Sequence, residues 1–158
     1  MDKKEVYCGD LIRSYLPADY LDSFTQIIQV KTAITPEIFF NMAFCQFPKW
    51  INWLLKLRNL LVKPFGIDTN KHFTDMICEK IDNEIIVGMP DSHLTFHASL
   101  WCGNVERNHQ KIGITTVVKY NNFIGRVYFF LIKPFHHLIM RFILKRIQKN
   151  IITNNISQ

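Results

Sequence analysis

The pattern of apolar and polar positions near the N-terminus predicts one strand followed by two helices. Residues 23–31 alternate between apolar and polar side chains with few exceptions, which is the period of a half-buried strand. The residues before them, as far as Tyr20, show no clear period and are predicted to form an extended arm and a turn. Residues 35–46 are predicted to form the first helix, because Thr35-Pro36-Glu37 combines a capping residue, a proline suited to the first turn and an acid. A second helix is predicted over residues 48–63, where apolar side chains form one stripe.

The middle of the chain predicts a run of strands. Segments with alternating or β-branched side chains are separated there by turn residues such as Asp82-Asn83. A polar loop is predicted to begin at Gly103, before the last of these segments. The four predicted strands cover residues 73–81, 84–89, 92–102 and 113–120.

A helical period from Asn122 to Lys149 predicts a long C-terminal helix, which Pro134 must kink or interrupt because its nitrogen carries no hydrogen. Strands grouped together, with helices apart from them, predict an α+β fold. An antiparallel sheet with one apolar face needs a cover, and the long helix is the predicted element that can lie across it. We therefore expect one domain over residues 1–150, in which the C-terminal helix grips a curved antiparallel sheet, and a frayed end over residues 151–158.

Length and composition are those of one ordinary globular domain. The chain has 158 residues, of which 48% are hydrophobic and 20% charged, so a disordered chain is excluded. Its N-terminus is charged, unlike a signal peptide, and no stretch reaches the roughly 18 consecutive apolar residues of a membrane span. The spacing of the four cysteines matches no zinc site, so we expect reduced thiols in a cytoplasmic protein. No cofactor is expected.

Positive charge is concentrated in the last third of the chain. Residues 107–158 carry nine Lys or Arg and no acid, a net charge of +9, whereas residues 1–106 have a net charge of −3. A basic amphipathic helix can bind an anionic membrane surface or a nucleic-acid backbone. No nucleic-acid-binding motif is present, so we expect no nucleic-acid partner. The same cations can also simply complement the helix dipole and solvate the outer side of the helix.

Several short motifs resemble one bacterial family, domain-of-unknown-function family 2867, over residues 14–148. In this sequence the motifs are Leu16-Pro-Ala-Asp-Tyr-Leu-Asp-Ser-Phe24, Trp53-Leu-Leu-Lys-Leu-Arg-Asn-Leu-Leu-Val-Lys-Pro-Phe-Gly66, His93-Leu-Thr-Phe96, Thr115-Thr-Val-Val118, Asn122-Phe-Ile-Gly-Arg-Val-Tyr128 and Pro134-Phe-His136. The chain has no Gly-rich dinucleotide loop, so it resembles the stand-alone form of that family. The family is similar to the START-like helix-grip superfamily, which includes lipid carriers and aromatic polyketide cyclases. The resemblance implies a fold with a cavity and implies no particular reaction.

The space between the sheet and the long helix is the expected ligand site, since such a space commonly leaves an apolar pocket. Aromatic side chains on the faces that turn toward it are equally typical of an ordinary core. The expected lining residues are Trp53, Phe96, Tyr120, Tyr128 and Phe135.

Four polar residues are candidates for contact with the ligand. Asp91 and His93 lie two residues apart, as an acid that orients a general base does, but a turn-capping Asp beside an exposed His is the alternative. His136 can hydrogen-bond a ligand, or the carbonyl group that Pro134 leaves free. Asn122 can line the mouth of the pocket, or cap the C-terminal helix.

These observations favour a cytoplasmic protein that binds an apolar or amphipathic, lipid-like small molecule. An enzyme of the cyclase or hydratase type, with Asp91 and His93 or His136 as acid and base, is one alternative. A peripheral membrane or partner-binding module that uses the basic helix is another, and no integral membrane segment is expected. No metal site is expected, because His93 and His97 on one strand lie about 13 Å apart.

Overall fold

The predicted order is a strand, two helices, a run of strands and a long helix, and the observed elements follow it, with the second predicted helix only partly within the described residues. The structure is a computed structural model, and it describes residues 9–44, 49, 51–53, 56, 63, 76–90 and 92–156. Its elements are a 3-10 helix (Leu11–Tyr15), β1 (Tyr20–Gln29), α1 (Pro36–Phe44), β2 (Ile77–Ile81), β3 (Glu84–Pro90), β4 (Leu94–Glu106), β5 (His109–Tyr120) and the C-terminal helix (Phe123–Ile156).

The strands pair antiparallel in an open five-stranded sheet with the order β1-β5-β4-β3-β2. The polar loop predicted from Gly103 is wrong, because β4 and β5 continue through this region as a hairpin. Arg107 and Asn108 form its turn with φ angles of 48° and 64°, the left-handed conformation that a two-residue hairpin turn needs. The register shifts between Cys102 and Val105, so a bulge absorbs the residues that interrupt the alternating pattern.

The main core lies between one face of the sheet and the helices. Ala98 and Leu100 of β4 are opposite Thr116 and Ile114 of β5, and all four are buried on the side that faces the C-terminal helix. From the helix, Ile143, Leu144 and Ile147 pack into the same cluster. The predicted α+β fold, with a long helix packed on an antiparallel sheet, is confirmed.

The opposite face of the sheet is partly covered by the N-terminal segment, which a buried acid holds in place. Glu84 is fully buried and accepts hydrogen bonds from the backbone N–H groups of Leu11 at 2.8 Å and Ile12 at 3.2 Å. The Ser99 hydroxyl donates a third, at 2.5 Å. The segment is therefore a 3-10 helix over Leu11–Tyr15, and not the extended arm that its sequence predicts.

The C-terminal helix is longer and more continuous than predicted. It runs through Pro134 without interruption and ends at Ile156, beyond the predicted end at Lys149. Its segment Phe123–Ile152 is long and apolar enough to cross a membrane, since it contains an 18-residue window with a mean hydropathy of 1.4, although a core helix can pass the same test. In the predicted second helix, residues 49, 51–53 and 56 are α-helical and residue 63 has 3-10 conformation, and its other residues lie outside the described part of the chain.

Candidate functional site

A cluster of four polar side chains joins β1 to the C-terminal helix. Because side chains alternate along a strand, Tyr20 and Asp22 of β1 share the face that turns toward that helix. His136 and His137 of the helix reach the Asp22 carboxylate, with Nε2–Oδ2 distances of 3.1 Å and 3.4 Å. The Tyr20 hydroxyl lies 2.7 Å from Asp22 Oδ2 and 2.7 Å from His137 Nε2. We call these four residues the Asp22 cluster.

The surroundings of Asp22 keep it ionised. Its side chain is 13% exposed, and burial alone raises the pKa of a carboxyl group. The hydrogen bond and charge of His136, the Tyr20 hydroxyl and the charge of His137 act in the opposite direction and outweigh burial. The pKa of Asp22 therefore lies below its ordinary value, and at neutral pH the cluster contains a carboxylate.

The Tyr20 hydroxyl has one proton, which fixes the direction of its two hydrogen bonds. It donates to the Asp22 carboxylate, so it accepts from Nε2–H of His137. Burial, followed by the hydrogen bond to Asp22, raises the pKa of Tyr20, so the phenol keeps its proton at neutral pH. Above the ring, Lys133 Nζ lies 4.9 Å from the centroid, close enough for a cation–π contact.

Aromatic rings surround the Asp22 cluster on its apolar side. The Phe129 ring centroid lies 4.6 Å from that of Tyr20 and 6.4 Å from that of His136. Phe24, two residues after Asp22 on β1, lies 5.6 Å from the His137 ring. The polar groups are thus held at the border of an apolar layer, where electrostatic interactions are stronger than in water.

Directly across from Asp22, on β5, lies a buried hydroxyl group without a partner. Thr116 is 4% exposed, and its Oγ1 makes no hydrogen bond within the described part of the chain. The neighbouring Thr115 points to the opposite face, where its Oγ1 lies 2.9 Å from Ser23 Oγ. A buried hydroxyl without a partner costs stability, so Thr116 is the group in this region that a bound polar atom would satisfy.

The chemistry available here is hydrogen bonding and proton transfer. The region offers a carboxylate, two imidazoles, a phenol and a free hydroxyl group, which can accept and donate hydrogen bonds. Among the residues that the structure describes, no group of three His, Cys, Asp or Glu side chains is arranged to hold a metal ion.

Three of the predicted lining residues pack together next to the Asp22 cluster. Tyr128 is buried, and Phe96 and Tyr120 pack against the same apolar group, which also includes Phe129. Tyr20 of the Asp22 cluster contacts this group as well. The predicted His136 is a member of the Asp22 cluster itself.

The other predicted residues lie elsewhere. Trp53 is 61% exposed and Phe135 is 38% exposed, and neither belongs to the apolar group beside the Asp22 cluster. Asn122 caps the C-terminal helix, since its Oδ1 accepts the N–H of Gly125 at 3.0 Å. His93 lies beside it, with Nδ1 3.0 Å from Asn122 Nδ2. Asp91 lies outside the described residues.

Sequence reasoning missed Tyr20, Asp22, Thr116 and His137. A signal was present for the two residues of β1, since extending the alternation back from Phe24 by two and four positions places both on the apolar face. An acid at such a position is unusual and indicates a buried partner. Thr116, which lies across the sheet from Asp22, could not be found in this way, because the local pattern does not show which strands pair.

Comparison with known protein families gives a match over most of the chain. A family described as "Protein of unknown function (DUF2867)" matches residues 15–143. This range includes the Asp22 cluster, Thr116 and the start of the C-terminal helix. A search of curated proteins and a search of solved structures each found no match.

Proposed function

The chain belongs to the DUF2867 family of proteins of unknown function, and we propose that its domain binds a small amphipathic molecule between the sheet and the C-terminal helix. The observation that carries this proposal is the buried Thr116 hydroxyl without a partner, directly across from Asp22. Native proteins rarely leave such a group unsatisfied, so a polar atom of a ligand is its natural partner.

The charges of the site restrict the polar end of the ligand. Asp22 is ionised and would repel a carboxylate or phosphate, while His136 already donates to it. A hydroxyl or carbonyl group, which hydrogen-bonds without a negative charge, fits Thr116 better. The apolar end would lie against Phe24 and Phe96, which occupy positions on either side of the Asp22–Thr116 pair.

The arrangement of elements supports the same proposal. A single antiparallel sheet with one long helix across it is also the arrangement of the START-like helix-grip superfamily. We propose, as part of the same hypothesis, that this domain is related to that superfamily. Because one fold hosts many functions, the argument rests on Thr116 and Asp22 and not on the fold. We place the domain in the cytoplasm as part of the proposal.

Replacing Thr116 and Thr115 with valine is expected to change stability in opposite directions. Thr116→Val removes a buried hydroxyl without a partner and should raise the free energy of unfolding of ligand-free protein by about 1 kcal/mol. Thr115→Val breaks the hydrogen bond to the Ser23 hydroxyl and should lower the free energy of unfolding by about 1 kcal/mol. Urea denaturation measures both, and Thr115→Val is the matched control because the two residues are adjacent and equally buried.

Binding is tested with native mass spectrometry of the purified protein and with two probes, decanol and a long-chain methyl ketone. We expect at least one probe to bind, and Thr116→Val to weaken its binding about tenfold. Thr116→Ser keeps the hydroxyl group and should bind like the unchanged protein. The proposal is overturned if neither probe binds and no small molecule accompanies the protein, or if Thr116→Val binds as tightly as Thr116→Ser.

A second candidate function is acid–base catalysis of the cyclase or hydratase type. The observation that favours it is the Asp22–His136 pair, because a carboxylate that orients an imidazole is the usual arrangement of a general base. The two functions differ in what is recovered after the protein has been incubated with a small molecule that binds to it. A ligand that returns unchanged indicates a binding protein, whereas a product of altered mass that disappears with His136→Gln indicates an enzyme.

A further inference from the structure

The outer side of the C-terminal helix, away from the sheet, is apolar over its first four turns. Phe123 and Phe130 are each 76% exposed, and Leu138 is 54% exposed. At 100° per residue, these side chains lie on one side of the helix, opposite the buried Phe129 and Ile143. The same outer side also includes Val127, Leu131 and Pro134.

Cations adjoin this apolar surface, and no acid does so on the same helix. Arg126 and Lys133 are exposed along one flank of it. Beyond Leu138, the outer side continues with the exposed cations Lys145 and Lys149. Arg141 is also exposed, but it lies at the flank toward β1, where its guanidinium is 6.0 Å from the centroid of the Phe24 ring. No Asp or Glu occurs after residue 106, so the C-terminal helix contains cations and no acid.

We infer that the outer side of the C-terminal helix docks on an anionic lipid bilayer, with the helix lying in the plane of the interface. Exposed phenylalanine and leucine side chains would enter the border between headgroups and acyl chains, and the lysines and arginines would pair with anionic headgroups. This inference does not depend on the proposed ligand, because Phe123, Phe130 and Leu138 are not members of the Asp22 cluster. The outer side meets the cluster only along the flank, where Lys133 lies over the Tyr20 ring.

Charge complementarity distinguishes this occupant from a second copy of the chain. A symmetric dimer on this surface would bring Arg126 and Lys133 of two helices together, and the helix contains no acid to offset them. An anionic bilayer neutralises the same cations. A membrane-spanning helix is also disfavoured, since Ile143 and Ile147 are fully buried against the sheet and would have to leave it.

The test is flotation of the full chain with phosphatidylcholine vesicles that contain or lack phosphatidylserine. We expect binding to the anionic vesicles at low salt, little binding to the neutral ones, and release at high salt. The double variant Phe123→Ser with Phe130→Ser should weaken binding at least about tenfold. Lys145→Glu, which reverses one charge near the surface, should weaken it about tenfold as well.

Two matched controls come from the other face of the sheet. Ile27 is 59% exposed on β1, and Lys119 is exposed on β5. Ile27→Ser and Lys119→Glu should bind like the unchanged chain, which excludes a general effect of surface polarity or net charge. All these variants alter exposed side chains, so circular dichroism should show the same helical content.

Four results overturn the inference. They are no flotation with anionic vesicles at low salt, equal binding to neutral vesicles, binding that resists both salt and alkaline carbonate, and equal loss with the control variants. A concentration-dependent dimer that Phe130→Ser abolishes, without any flotation, assigns the surface to a second copy instead.

Discussion

The Asp22→Asn variant is expected to lose about 2 kcal/mol of unfolding free energy at neutral pH. Asp22 is the centre of the contacts between β1 and the C-terminal helix, since Tyr20, His136 and His137 all reach its carboxylate. An amide keeps the shape of the side chain and removes the charge, so two imidazoles lose their anionic partner. Urea denaturation at neutral pH measures the loss.

The same variant is expected to show a specific dependence on pH. Because the pKa of Asp22 in the folded protein is below its ordinary value of 3.8, its contribution is fully present above that value. It disappears as the pH falls through the lower pKa of the folded state, where the carboxylate becomes protonated. The difference between the unchanged chain and Asp22→Asn should therefore still be present at about pH 5 and shrink as the pH falls below about 4.

A control and a double variant separate this effect from other causes. Asp82 is exposed in the turn between β2 and β3, and Asp82→Asn should change stability by less than about 0.5 kcal/mol. Combining Asp22→Asn with His136→Gln should cost less than the sum of the two single changes, because both remove the same contact. A full-sized effect of Asp22→Asn that persists at pH 3, or no effect at pH 7, would contradict the assigned role of the carboxylate.

The fold was predictable where local periodicity determines the structure. The alternation in β4 and the helical period after Asn122 reflect which side chains must be buried, and both predicted elements are observed. The 3-10 helix was not predictable in this way, because Glu84, which holds it, is 73 residues from Leu11. The hairpin turn at Arg107 and Asn108 was missed because neither residue is the glycine that usually marks such a turn.

The candidate site was predictable in part, for a related reason. His136 was a candidate because of its motif and its neighbour Pro134, but its partner Asp22 is 114 residues away. The importance of Thr116 depends on an absent hydrogen bond, which a sequence does not express. The sequence allowed Asn122 either to cap the C-terminal helix or to line the mouth of a pocket. The structure shows the capping contact, in which its side chain accepts the N–H of Gly125.

The start of the C-terminal helix fits closely against β4 at a glycine. Gly125 is buried, and a Cβ atom at this position would overlap the carbonyl oxygen of His93 and lie 2.7 Å from its carbonyl carbon. It would also lie 3.3 Å from Cβ of Leu94. Because the obstructing atoms belong to the backbone, a change of rotamer cannot relieve the overlap.

We therefore expect Gly125→Ala to lower the free energy of unfolding by about 3 kcal/mol, although alanine in a helix is otherwise more favourable than glycine by about 1 kcal/mol. The helix must move away from β4, which also weakens the apolar group around Tyr128. Gly113→Ala is the matched control, because its Cβ would lie 3.2 Å from a methyl group of Thr25 that can shift. This variant should lose less than about 1 kcal/mol of unfolding free energy. Thermal and urea denaturation compare the two variants. If Gly125→Ala were as stable as the unchanged chain, the close approach of the helix to His93 would be wrong, and the position of the helix over the Asp22 cluster would be wrong with it.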